Sequence, residues 1–244
     1  MVKKVALITG SSSGIGSEIA VQLAMRGFVS IINYKTNLQG AERTLETIKN
    51  AGGEALIIKA DVSLEADVKY MFQKIIDLYK RIDVIVNNAG VFKFQYFEDI
   101  TRDSFDDHFN TNVWGAILVI REAAKYMMRG SCVINISSIR SSNPEPSELL
   151  YASSKSALDT VTRVLAKELG ARGIRFNTLA PGVVDTKKQG QISIISDYEQ
   201  KVIDQTPLGR LGNTDDIAKV VCFLVSDSAY WITGERIRVS GGLL

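Results

Sequence analysis

Seven short runs rich in branched apolar residues recur along the chain, each separated from the next by a longer stretch with helical spacing. They are VALIT at 5–9, FVSIIN at 28–33, ALIIKA at 55–60, DVIVNNAG at 83–90, CVINISS at 132–138, IRFNTLA at 174–180 and ERIRV at 235–239. The intervening helices are expected after Gly14, from Leu38 to Asn50, up to Tyr79, over 102–128 and from Tyr151 to Gly170. A strand that is apolar at nearly every position must be covered on both faces, and helices between successive strands force parallel pairing through right-handed crossovers. The pattern predicts one α/β domain over 1–244: a doubly wound sheet of seven mostly parallel strands with helices on both faces.

A chain of 244 residues can bury such a core without disulfides or metals. Its 29 basic and 27 acidic side chains leave a net charge of +2 with both signs interspersed, which argues against nucleic acid or an anionic membrane as partner. Cys132 and Cys222 stand far apart and His108 is the single histidine, so no zinc cluster is expected and a reducing cytoplasm fits best. The lysines of MVKKVALITG precede an apolar run of only about five residues ending in a glycine and serine turn, which reads as a first strand rather than a signal peptide. No run approaches the roughly 18 apolar residues of a membrane span, so a soluble protein is expected. The irregular stretch from Val183 to Pro207 is expected to hold a lid, about 187–205, in which Lys187, Lys188 and Gly190 accompany Ile192, Ile194 and Ile195.

Open parallel sheets bind ligands beyond the carboxyl ends of their strands, so what each strand releases there matters most. The first releases 9-TGSSSGIG-16, where Gly10, Gly14 and Gly16 allow a tight turn and the following helix offers unpaired N–H groups to phosphate. Ser12, Ser13 and Ile15 complete this cradle, whose GxxxGxG spacing departs from GxGxxG. The second ends at Asn33, Tyr34 and Lys35, without the acid that would hold a ribose hydroxyl pair; a neutral Asn33 beside cationic Lys35 favours a 2′-phosphate, hence NADP(H) over NAD(H). Lys35 is equally readable as an ordinary surface lysine. The third strand delivers Asp61 and Val62, and the fourth delivers Asn88, Ala89 and Gly90.

Tyr151 and Lys155 stand one helical turn apart, so a phenol and an ammonium share a helix face. A packed tyrosine beside a solvated lysine is the alternative on this pair alone. Ser138 at a strand end and Asn112 in 110-NTNVWG-115 join them. In this order, TGxxxGIG at 9–16, Asp61, NNAG at 87–90, Asn112, Ser138, YxxxK at 151–155 and 181-PGVVDT-186 closely resemble the short-chain dehydrogenase/reductase family over essentially the full length. The segment 206–242 is most similar to the 3-oxoacyl-carrier-protein-reductase-like branch.

That resemblance implies a Rossmann-type fold, hydride transfer with a nicotinamide cofactor, and a catalytic set of Asn112, Ser138, Tyr151 and Lys155. It adds Pro181, Gly182, Val184 and Thr186 to the cofactor residues already named, with Tyr151 and Lys155 contacting the cofactor as well. Tyr151 is then the general acid, its pKa expected to be lowered by Lys155, while Ser138 bonds the substrate oxygen, Lys155 grips the ribose and Asn112 holds a water. NADP(H) is the expected cofactor, with NAD(H) the alternative. The expected substrate is a small carbonyl or alcohol, with a carrier-bound acyl chain among the options. A homotetramer is the implied assembly, followed by a dimer. Two features depart from the family pattern: Ser13 stands where NADPH-using relatives often carry a basic residue, and 139-IRSSNPEPSELL-150 is bulkier than the glycine-rich segment of carrier-protein reductases. The rival functions are an NAD(H)-dependent alcohol or polyol dehydrogenase and a catalytically silent dinucleotide sensor. His108 is expected at a helix surface or in packing rather than as a base, Trp114 and Trp231 in packing with a subunit contact as the alternative for Trp114, both cysteines as small buried hydrophobes, and Arg129 with Arg172 at either a basic docking spot or helix-end carbonyls.

Overall fold

The computed structural model describes residues 3–186 and 196–244. Strands β1 (Val5–Ile8), β2 (Val29–Tyr34), β3 (Glu54–Lys59), β4 (Val84–Asn87), β5 (Cys132–Ile136), β6 (Arg175–Pro181) and, last in the chain, β9 (Arg236–Val239) form one sheet in the order β3-β2-β1-β4-β5-β6-β9. Every pairing in it is parallel. The apolar runs thus mark the strand starts to within one residue and the ends to within three, the largest overrun being NNAG after β4.

Successive strand residues point to opposite faces, which explains why nearly all of them are apolar. On β1, Ala6 and Ile8 join the layer built by α1 (Gly14–Ala24), α2 (Leu38–Asn50) and α8 (Thr214–Val225), through Ile19, Leu23, Ile48 and Val221. Val5 and Leu7 join the opposite layer, where α3 (Glu65–Tyr79) and α5 (Ala116–Ala123) contribute Met71, Phe72, Leu118 and Val119. Helix α6 (Leu149–Leu169) closes that second layer.

Chain direction across the sheet reverses between β1 and β4, so their carboxyl ends open a crevice. A second device serves the same edge. Helix α4 (Arg102–Phe109), started by a Thr101–Ser104 capping box, runs into a wider π turn at Asn110–Gly115 before α5. That extra residue re-aims Asn112 inward, as such bulges do at functional sites.

Of the expected lid, residues 187–195 lie outside the described residues. The stretch around them is more regular than expected. Val184–Asp185 (β7) pairs with Gly212–Asn213 (β8), and Asp197–Gln205 forms helix α7, begun by a Ser196–Glu199 capping box. Trp231, expected to pack, is 94% exposed.

Candidate active site

The turn after β1 is held from below by the loop after β4. Asn88 donates its side-chain N–H to the carbonyls of Thr9 (2.9 Å) and Gly10 (3.1 Å), while the Thr9 hydroxyl accepts from the N–H groups of Asn88 and Ala89. Gly10 has φ +61°, and a Cβ there would stand 2.9 Å from Ala89 Cα. A Cβ at Gly16 would overlap the Asn88 amide. Only glycine lets the turn sit this close to β4. Ser13, preceding α1, makes no side-chain cap, so the first N–H groups of that helix are left for a ligand.

Beside this turn lies a cleft of about 370 Å³ lined by Gly10, Ser12, Ser13, Asn33, Tyr34, Lys35, Asp61, Val62, Asn88, Ala89 and Gly90. Through Asn88 and Gly90 it meets a second cavity of about 430 Å³, lined by Ile15, Ser138, Tyr151, Lys155, Pro181, Gly182, Val184 and Thr186. Gly14 and Gly16 line neither space; Gly14 (φ +57°) shapes the turn beside Thr186, and Gly16 lies beneath it. Asn112 also lines neither space, and the remaining sequence-predicted residues line one or both of these adjoining cavities. A glycine turn that excludes Cβ atoms, an uncapped helix start and a cation at its rim suit the phosphates of a dinucleotide.

Two residues expected to face that ligand are engaged within the protein. The Asn33 amide accepts from the Gly10 N–H (3.2 Å) and donates to the Ala60 carbonyl (3.0 Å), so it braces the cradle. Lys35 pairs with Asp61 at 2.7 Å, the lysine 64% exposed and the carboxylate 15%. Burial pulls the Asp61 pKa upward, but hydrogen bonds from Lys35 and Ser63 outweigh it and hold the group below its ordinary value.

At the end of β5, Ser138 adopts an extended backbone and its Oγ accepts the Arg140 N–H at 3.1 Å. Its side chain also lies close enough to the Tyr151 phenol to favour the ionised form of that group. Tyr151 lies in the first turn of α6, its ring edge-on to Phe92 at 4.6 Å, with Phe92 likewise edge-on to Phe94. The Lys155 ammonium donates to the Ile136 carbonyl at 2.8 Å and stands 5.7 Å from the tyrosine ring centroid. Gly90 lies beside it, and a Cβ there would stand 3.4 Å from Nζ and a tighter 3.2 Å from Asn112 Oδ1.

The electrostatics differ from the sequence expectation. Burial raises the Tyr151 pKa; Ser138 opposes this, Glu148 adds to it and Arg140 opposes it, whereas Lys155 is not among the causes. The ammonium is itself buried, which pulls its pKa down to about 8 against the attraction of Asp159. Sequence spacing showed the pair but not the burial that dominates it.

Asn112 is fully engaged. Its Oδ1 accepts the Val91 N–H (2.7 Å), and its Nδ2 donates to the Val91 carbonyl (3.0 Å) and to Ser154 Oγ (2.9 Å). Ser154 in turn donates to the Tyr151 carbonyl at 2.7 Å. The amide therefore joins the loop after β4 to the turn that carries Tyr151. His108, one turn earlier, is wholly buried with Nδ1 bonded to the Ser104 carbonyl. Arg172 donates to the carbonyls of Ala124 and Met127, satisfying a helix end. Arg140, Glu148, Asp159 and Arg236 were not singled out from sequence; for the first two the available signal was the charge of 139–150, where Arg140 precedes Glu145 and Glu148.

A glycine turn shaped to suit phosphate, beside a cavity that gathers a serine, a tyrosine and a lysine, is the arrangement of a nucleotide-dependent oxidoreductase. Residues 10–244 match the family model described as Enoyl-(Acyl carrier protein) reductase. The chain is 41% identical over 241 residues to an uncharacterized oxidoreductase of Methylorubrum extorquens, covering 98% of this chain and 97% of that one. It is 36% identical over 244 residues to the 3-oxoacyl-acyl-carrier-protein reductase FabG of Staphylococcus epidermidis, covering 99% of each. Its fold is similar to the angucycline C-6 ketoreductase LanV with bound NADP, with TM-score 0.92, 32% identity and 100% and 96% of the two chains covered. The chain belongs to the short-chain dehydrogenase/reductase family.

Proposed function

We propose that this enzyme is an NADP(H)-dependent carbonyl reductase in which Tyr151 delivers the proton. The observation that carries the reading is that the two cavities share Asn88, Gly90 and Val91 as lining, with Ser138, Tyr151 and Lys155 in one and the glycine turn and Lys35 in the other. When bound, the reduced nicotinamide supplies a hydride. The cradle of Gly10, Ser12, Ser13, Gly14, Ile15 and Gly16 takes the pyrophosphate, Lys35 takes the 2′-phosphate by exchanging Asp61 for it, and Asp61 with Val62 flanks the adenine end. Pro181, Gly182, Val184 and Thr186 border the nicotinamide end.

Tyr151 gives its phenolic proton to the substrate oxygen, and Ser138 donates a hydrogen bond to the same oxygen as negative charge develops there. A phenol whose pKa is raised by burial holds its proton across the neutral range, which suits reduction. Lys155 serves the ribose hydroxyls and Asn112 holds the helix turn on which Tyr151 sits. FabG and LanV, both reductases of carbonyl compounds by name, support the direction of reaction. A 3-oxoacyl thioester is the first substrate to test, and the rings of Phe92 and Phe94 at the cavity mouth suit an apolar or aromatic ketone equally.

The free, buried Cys132 and Cys222 fit a reducing cytoplasm, and among the described residues no helix is long and apolar enough to cross a membrane. Exposed Phe105, Trp114, Tyr126, Leu149 and Val164 on α4 to α6 suit subunit pairing in a homotetramer. The test is a panel of ketones and 3-oxoacyl thioesters with NADPH and NADH, run with wild type and Tyr151→Phe. The variant should bind NADPH normally and lose roughly two or more orders of magnitude in turnover. Near-normal turnover by Tyr151→Phe overturns the assignment.

A further inference from the structure

The loop from Ser138 to α6 buries an ion pair at the wall of the reaction cavity. Arg140 Nε lies 3.2 Å from a Glu148 carboxylate oxygen, with side chains only 12% and 3% exposed. Both residues line the cavity that contains Tyr151. Their backbone and side chains also hold the reacting groups. The Arg140 N–H donates to Ser138 Oγ at 3.1 Å, and Glu148 immediately precedes α6, where its carbonyl accepts the Ala152 N–H at 2.8 Å. Glu148 is three residues, about one turn, before Tyr151. The remaining Glu148 bond, from the Glu145 N–H at 3.1 Å, and the Arg140 bond to Glu145 at 3.1 Å keep the loop folded around the pair.

Removing two charges from water is expensive, and a hydrophobic pair of similar size often stabilises a fold better. The pair therefore needs a reason other than stability, and its position supplies one. We propose that Arg140 and Glu148 are positioning residues for the proton donor: they lock the Ser138 loop onto the Tyr151 turn, and their opposite charges set the pH at which the phenol gives up its proton. The proposal rests on Tyr151 being the acid.

The directions agree with this geometry, since Glu148 raises the proton affinity of Tyr151 and Arg140 lowers it. Other charges near the phenol stay constant when the pair is altered. Lys155 is held by the Ile136 carbonyl, and Asp159, one turn further along α6, is bound by Arg236 of β9 at 3.0 Å. Lys93, on the loop after β4, is turned away to Asp107 at 2.8 Å. Glu145 is 53% exposed and screened by solvent, and Tyr198 of α7 bonds Arg140 rather than the phenol.

The experiment is the pH dependence of kcat for carbonyl reduction by NADPH, measured with the best substrate of the panel on wild type, Glu148→Gln, Arg140→Gln and the double variant. Reduction needs the protonated phenol, so kcat falls on the alkaline side; loss of the Lys155 proton, at about 8, adds a separate step there that depends on burial and Asp159 rather than on Arg140 or Glu148 and therefore stays fixed across the variants. Burial raises the Glu148 pKa and Arg140 opposes that rise, so the limb is read well above the ordinary carboxylate range. Glu148→Gln should move the alkaline limb to lower pH, Arg140→Gln should move it to higher pH, and the double variant should return it near the wild-type position. Arg140→Lys and Glu148→Asp keep the charges; they should lower kcat and leave the limb in place, and they decide the matter if a neutral variant fails to fold. Slower turnover in all variants with an unmoved limb overturns the proposal and leaves Tyr151 as the acid. If Tyr151→Phe itself keeps turnover and the limb, the acid assignment fails and the proposal falls with it.

Discussion

Replacing Asn112 by alanine separates a structural amide from one that merely holds a water. The side chain makes three hydrogen bonds, at 2.7, 3.0 and 2.9 Å, to both backbone groups of Val91 and to Ser154, and it is 1% exposed. At roughly 1 kcal/mol for each bond, the variant should lose about 3 kcal/mol. A chain of this size loses about 2–4 °C of Tm for each kcal/mol, so Tm should fall by roughly 6–12 °C. Circular dichroism melting without cofactor measures this directly. Asn112→Asp should recover little, because it keeps the acceptor for the Val91 N–H but turns a second oxygen toward the Val91 carbonyl. Turnover should fall with Tm, since Ser154 bonds the carbonyl of Tyr151. A wild-type Tm in Asn112→Ala, with turnover lost, would refute the bracing role and favour the water-holding one implied by family resemblance.

Three further outcomes are expected. Lys35→Ala should weaken NADPH by about fivefold relative to NADH in a fluorescence titration, a modest factor because the side chain is 64% exposed and solvent screens it; an unchanged ratio removes Lys35 from 2′-phosphate recognition. Gly10→Ala forces a Cβ onto a left-handed residue 2.9 Å from Ala89 Cα, costing about 1–2 kcal/mol for the backbone alone, and should lower Tm by several degrees and weaken both cofactors; unchanged binding means the cradle does not contact them. Burial lowers the Lys155 pKa from 10.5 to about 8, so between those values the unfolded chain binds more protons and stability should rise with pH. Lys155→Met should flatten that part of the urea-derived stability curve, and an identical slope would refute the burial of a titrating ammonium.

Strand positions were legible because burial on both faces leaves a run of apolar residues with nowhere else to go. FVSIIN at 28–33 became Val29–Tyr34 and CVINISS at 132–138 became Cys132–Ile136. Helix α2 was read to its observed bounds. Helix α7 was missed: the apolar residues before it suggested a lid, while Ser196 and Glu199 carried a capping box three residues apart. The site residues were legible as types and spacings, but not as orientations. Asn33 and Asn112 are amides at the expected places whose donors and acceptors are spent inside the protein, and no periodicity reports which way an amide points.

The same limit explains the tyrosine. One helical turn between Tyr151 and Lys155 predicts that a cation tunes the phenol, yet the ammonium is drawn to the Ile136 carbonyl and the phenol feels burial, Ser138, Glu148 and Arg140 instead. Helix α6 and the residue before it in fact carry a series of buried charges, Glu148, Lys155 and Asp159, and the two carboxylates find partners outside the helix. Arg140 answers Glu148 from the serine loop, and Arg236 answers Asp159 from β9 at 3.0 Å while also donating to the Ser138 carbonyl at 3.1 Å and Ser141 Oγ at 3.0 Å. Each ion pair therefore fixes the loop that bears Ser138 as well as placing a charge near the acid. A substitution at either arginine must act on position and proton affinity together, which is why pH profiles, rather than rates at one pH, separate the two effects.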